Sequence, residues 1–267
     1  MQTQIPDPQV RDFASHLVRV NDGDIAVGLY GSRVHRLVLG VESPPGTDLD
    51  LAYATCGFNG NDIKPFNALK LKAMALRDRL GGYTPAGFSD GEFICPWVSY
   101  VNSRGSFFKP GVRSEDDFSR FDLGYTVNNV ILLTDGREGR IIDGLGGVRD
   151  LFEGRLRFPD SIMAALGSKD SRWKTSRALL GLKYKHTRGM DFDPDTLQAL
   201  SQQMSRVTFT SNELTDASNL RMLGDILESG DPQQVAEELK ALRLDEFRKL
   251  ALRYDDNRPL YKRIRHK

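Results

Sequence analysis

The alternation of apolar and polar positions divides the chain into a strand-rich first half and a helical last third. Ile25–Tyr30, IAVGLY, is a short apolar run that stops at Gly31-Ser32, the pattern of a buried strand. Arg33–Leu39 fits one or two helical turns. Val41–Thr47, with two prolines and a glycine, reads as a loop. Asp48–Ala54, DLDLAYA, alternates with period two and predicts a second strand. A helix is expected over Gln9–Arg19. Another is expected over Pro65–Leu80, where Phe66, Leu69, Ala73, Leu76 and Leu80 share a face and Gly81-Gly82 closes the end. Glu92–Val101, Phe121–Leu133 and Gly139–Asp143 read as further strands. From Pro159 the period becomes helical: Asp160–Leu166, Ser171–Arg188, Asp195–Met204, Glu213–Glu228 and Pro232–Tyr254. The expected organisation is an α/β domain over 1–158, with a small mixed sheet, followed by a helical domain over 159–267.

Composition narrows the classes. The 267 residues carry 37 Lys and Arg against 36 Asp and Glu, so neither a histone-like protein nor an acidic solvating chain fits. No apolar run approaches the roughly 18 residues needed to span a bilayer. Met1–Gln9 has no apolar core of a signal peptide, and a reducing cytoplasm is the expected compartment. Two cysteines, Cys56 and Cys95, cannot build a disulfide framework or a four-ligand zinc site.

The chemistry concentrates at Gly31-Ser32 and at Asp48-Leu49-Asp50. Residues i and i+2 of a strand point to the same side, so Asp48 and Asp50 project two carboxylates together. Such a pair repels unless a cation lies between, and hard oxygen donors suit Mg²⁺ with substrate phosphates. Gly31 permits a sharp turn and close approach to a phosphate, and Ser32 offers a hydroxyl and an amide at a helix start. Either feature alone is common on ordinary surfaces. The series of strand, Gly-Ser, short helix and strand-borne acids is much rarer, and describes a metal-assisted phosphoryl- or nucleotidyl-transfer site.

The segment GLYGSRVHRL…GTDLDLAY resembles the signature of the polymerase-beta-like nucleotidyltransferase superfamily. The linker from Ser32 to Asp48 is a few residues longer than in its compact members. The resemblance implies a third acid on a later strand. The residues themselves offer Asp122, in Phe121-Asp-Leu123, and Glu92, which opens EFICPWVSYV. The order of an Ile94-Cys-Pro96 strand, Asp122 and then Asn128-Asn129 is similar to poly(A)-polymerase-like and terminal-uridylyltransferase-like members and favours Asp122. A second stretch, Arg177 to Met190, resembles the helix whose lysine reaches the triphosphate in that group. It assigns Lys183, with Lys185, to nucleotide binding, although no tryptophan follows. A solvated basic helix end is an equal alternative for both lysines. His35 reads as a surface histidine, with a phosphate contact the alternative. Asn128-Asn129 reads as a ribose contact or a turn. The basic tail RPLYKRIRHK is either a solubilising end or a grip on a nucleic-acid backbone.

The implied activity is transfer of a nucleoside monophosphate from an NTP to an acceptor hydroxyl, with Mg²⁺ (or Mn²⁺) held by Asp48, Asp50 and Asp122 and an RNA or tRNA as one candidate acceptor. The alternatives are a degenerate nucleotide-binding module, a nucleotidyltransferase toxin or defence factor, and a non-enzymatic nucleic-acid-binding protein.

Overall fold

The computed structural model describes residues 2–4, 11, 25–43, 50–55, 124–134, 138–208, 214 and 216–254. The helices expected at 9–19 and 65–80 and the strand at 92–101 lie outside them. The chain divides into two compact units, Met1–Phe152 and Glu153–Lys267.

The first unit is built on a five-stranded sheet: β1 (Gln2–Gln4), β2 (Ile25–Tyr30), β3 (Asp50–Thr55), β4 (Ile131–Thr134) and β5 (Glu138–Ile142). Their spatial order is β1-β5-β4-β2-β3, and every pairing among them is antiparallel. Helix α1 (Ser32–Val38) follows β2 directly, and α2 (Gly147–Phe152) follows β5. Leu29, Val34, Val130, Ile131, Leu132 and Ile142 are buried as the core.

The single strand expected over Phe121–Leu133 is interrupted. Thr126–Asn129 forms a 3₁₀ turn, and β4 begins only at Ile131. The turn is held by side chains that a strand would leave unused. Asn129 Nδ2 donates to the Tyr125 carbonyl at 2.9 Å, and the Asn128 amide reaches the same oxygen at 2.9 Å. Thr126 Oγ1 donates to Asp150 Oδ2 at 2.6 Å, which ties the turn to α2. These buried polar bonds outweigh the β-propensity of the flanking Val and Ile residues.

The second unit holds α3 (Asp160–Ala165), α4 (Ser171–Arg188), α5 (Pro194–Met204), α6 (Ala217–Ser229), α7 (Pro232–Ala241) and α8 (Asp245–Leu252). A short parallel pair, β6 (Arg155–Leu156) with β7 (Asp191–Phe192), also belongs here. That pairing draws 155–156 into the helical unit, so the division falls a few residues before the 158 read from the sequence. Four helices start on an aspartate cap: Asp170, Asp193, Asp216 and Asp231 each accept amide hydrogen bonds from the first turn. The Asp216 cap sets the start of α6 at Ala217, later than the expected Glu213.

The helix expected over Pro232–Tyr254 is two helices. Arg243 takes φ 59° between them. The Leu244 amide bonds the Leu239 carbonyl and the Arg243 amide bonds that of Lys240, at 2.8 and 3.0 Å. This is a Schellman ending, with Leu239 and Leu244 both buried on its apolar side. Glycine is the usual residue at such a position because Cβ is strained there. Arg243→Gly is therefore expected to stabilise the second unit by about 0.5–1 kcal/mol. A higher urea midpoint at unchanged slope would show it; a lower midpoint would mean that the arginine side chain contributes more than its backbone strain costs.

Candidate functional site

The register of β2 on β3 builds the site. The two strands pair from Ile25↔Thr55 to Tyr30↔Asp50. The last residue of β2 thus stands opposite the first of β3, and Gly31-Ser32 follows at the same end of the sheet. Gly31 has φ 79° and ψ −156°, a conformation open essentially to glycine alone. It turns the chain from strand into α1 within one residue. Among the described residues no side chain caps α1, and its first turn is closed by the His35 amide on the Gly31 carbonyl at 3.0 Å. At the far end Gly40, φ 68°, closes the helix.

Of the expected site residues, Gly31, Ser32 and Asp50 are brought together by this register. Asp48 and Asp122 lie outside the described residues, as does Glu92, and Asp50 is placed by its backbone pairing. Among the described residues no group of three His, Cys, Asp or Glu is placed to hold a metal ion.

His35 is buried, not on the surface as expected, at 2% exposure. Its Nε2 lies 2.7 Å from the Val127 carbonyl in the 3₁₀ turn. A carbonyl only accepts, so Nε2 carries the proton in this bond. Arg33, on the same short helix, is buried too. No apolar periodicity in GSRVHRLV announced either, because the buried positions are occupied by polar residues. Asn129 serves the turn, as one of its two readings held.

Lys183 and Lys185 sit on α4 in the second unit, and both are engaged by carboxylates. Lys183 Nζ lies 2.7 Å from Asp225 on α6. Lys185 Nζ lies 3.2 Å from both Asp191 and Glu238. Burial lowers the Lys185 pKa, but the bonds to Glu238 and Asp191 outweigh it and hold the ammonium above its ordinary value. His186 joins the same group, with Nε2 2.5 Å from Glu238.

No family model and no curated protein matches the chain. Solved structures do. A CCA-adding enzyme in complex with CTP superposes over 92% of this chain and 56% of its own, with TM-score 0.55 and 16% identity. The Thermotoga maritima CCA-adding enzyme complexed with tRNA matches over 91% of this chain and 54% of its own, with TM-score 0.50 and 16% identity. The Bacillus stearothermophilus CCA-adding enzyme in complex with CTP matches over 88% and 52%, with TM-score 0.50 and 15% identity. The chain thus spans a little over half the length of these enzymes. With its strand-turn-helix at Gly31 and its helical second unit, the chain shares the fold of these CCA-adding enzymes.

Proposed function

We propose that this protein is a metal-dependent nucleotidyltransferase that moves a nucleoside monophosphate from an NTP to the hydroxyl of an RNA end, releasing pyrophosphate. The observation that carries this reading is the Tyr30↔Asp50 register, which sets an acid-opened strand beside a glycine-only turn into a helix. The likeness to CCA-adding enzymes, one of them complexed with tRNA, supports RNA as the acceptor class.

An all-carboxylate donor set of Asp48, Asp50 and Asp122 fits a hard divalent cation, Mg²⁺ or Mn²⁺. When bound, such a cation neutralises the triphosphate and lowers the pKa of the acceptor hydroxyl. The chain's own residues do the rest. Gly31 keeps the backbone close to the phosphates without a Cβ, and the Ser32 hydroxyl and amide hydrogen-bond them. Asp122 takes up the acceptor proton.

The test is incubation with each labelled NTP, Mg²⁺ or Mn²⁺, and a total RNA pool, followed by pyrophosphate release and the position of the label. Labelled RNA and metal-dependent pyrophosphate are expected. NTP affinity without release under any metal would favour a nucleotide-binding module, and salt-steep RNA affinity without turnover a plain RNA-binding protein.

The resemblance of Arg177 to Met190 offers Lys183 and Lys185 separately as point charges for a triphosphate. Because Asp225 already holds Lys183, two variants separate phosphate binding from helix pinning. Lys183→Ala is expected to raise the KM for NTP several-fold more than it lowers kcat. Asp225→Ala, which frees the ammonium, should leave KM unchanged or lower it. Equal losses of stability in both variants with constant KM would return Lys183 to a role between α4 and α6.

A further inference from the structure

We infer that His35 is a positioning residue: it clamps the helix that opens at Ser32 to the buried Thr126–Asn129 turn, and so holds the Gly31-Ser32 phosphate cradle in place on the sheet. The inference rests on the nucleotidyltransferase reading above for its consequence, but on this chain's own geometry for its content.

Two bonds from one residue make the clamp. The His35 amide closes the first turn of α1 on the Gly31 carbonyl at 3.0 Å. The His35 ring reaches the Val127 carbonyl at 2.7 Å, across 92 residues of sequence. Gly31 and Ser32 therefore cannot rotate about the end of β2 without breaking one of them.

The far side of the clamp is equally held. Val127 lies in the Thr126–Asn129 turn, which is buried throughout. Thr126 is bonded to Asp150, and Asn129 to the Tyr125 carbonyl. The turn continues into β4, whose Leu132 pairs with Leu29 of β2. In the other direction it begins four residues after Asp122 in sequence, with Gly124 at φ 100° between them. The His35 bond thus joins the third residue after the Gly-Ser to the turn that leads into β4. A shift of about 1 Å between reacting groups is enough to cost on the order of 10²-fold in rate.

A histidine suits the task because a buried carbonyl needs a donor and the ring supplies one at a fixed reach. Glutamine places its Nε2 the same number of bonds from Cα. Leucine fills similar space without a donor.

The experiment compares wild type, His35→Leu and His35→Gln by single-turnover rate per folded molecule, by KM for NTP, and by amide hydrogen exchange. In His35→Leu the rate is expected to fall about 10²-fold with KM changed by less than about threefold, and His35→Gln to restore most of the rate. A residue that merely stabilised the unit would lower the melting temperature and leave the rate per folded molecule unchanged, and that result overturns the inference. Exchange is read whether or not turnover is found. His35→Leu must expose the amides of 35–39 and of Asn128 together, and His35→Gln must protect both. Unchanged protection in His35→Leu overturns the clamp, whereas absence of turnover in wild type with the exchange pattern as expected overturns only the proposed activity.

Discussion

Replacing Asp50 with alanine should abolish nucleotide transfer while leaving the sheet intact. Its place opposite Tyr30 depends on backbone pairing, which alanine keeps. The loss is therefore chemical. A ligand removed from a cation that carries the triphosphate withdraws several kcal/mol of charge stabilisation from the transition state. At 1.36 kcal/mol per decade, about 4 kcal/mol corresponds to a rate loss of roughly 10³-fold. Asp48→Ala is expected to behave alike, as the other carboxylate of the Asp-Leu-Asp motif. Circular dichroism should be unchanged in both. A near-wild-type rate in either variant would remove that carboxylate from the catalytic set. It would also leave the Gly31 turn without the acid that makes it a transfer site.

The largest loss of stability is expected at Gly147, the first residue of α2. A Cβ there would overlap the Thr126 carbonyl oxygen, and would also stand 2.7 Å from Val130 Cγ2 and 2.8 Å from the Thr126 carbonyl carbon. Two of those neighbours are backbone atoms of the buried turn and cannot swing aside. The Gly147 amide is also fixed, because Asp143 Oδ1 accepts from it at 2.6 Å. Gly147→Ala must therefore part α2 from the turn, break the Thr126–Asp150 bond, or both. About 3 kcal/mol or more is expected, in the range of overpacked and bond-breaking substitutions. Gly40→Ala is the control. It carries φ 68° but has nothing within 4 Å of a Cβ, so backbone strain alone should cost about 1 kcal/mol. Urea unfolding of both variants decides the matter. Equal midpoints would mean that α2 yields to the methyl group without consequence.

What was legible in the sequence follows from where the deciding forces act. Strand β2 has the bounds read from IAVGLY, and α4 those read from Ser171–Arg188. In both cases the end signals are local: Gly31 stops the strand, while Asp170 and Gly189 bracket the helix. The break at Arg243 was hidden because its left-handed residue is not a glycine, and burial of Leu244 makes the turn. The 3₁₀ turn was half visible. Asn128-Asn129 offered a turn, but the flanking Val and Ile residues read as strand, and the partners that bend the segment, Asp150 and His35, are remote in sequence. The local geometry divides the same way. The turn at Gly31-Ser32 and the strand that Asp50 opens were readable from motif and period. The burial of His35 was not, since it depends on a carbonyl 92 residues away.

The position of β1 has a consequence for how the chain assembles. Gln2 pairs with Arg140 and Gln4 with Glu138. β1 is therefore separated by more than 130 residues from the strand it pairs with. At roughly 5–20 residues per second, synthesis of that separation takes about 7 to 28 seconds. Closing so long a loop is entropically unfavourable until β4 and β5 have already paired, so β1 should dock late. During synthesis the nascent unit exposes the open edge of β5 as soon as that strand forms, and an open edge can recruit another chain. Lower growth temperature and fewer crowded nascent chains should then raise the yield of folded protein, by giving residues 2–4 time to reach their own sheet before a neighbour's strand does.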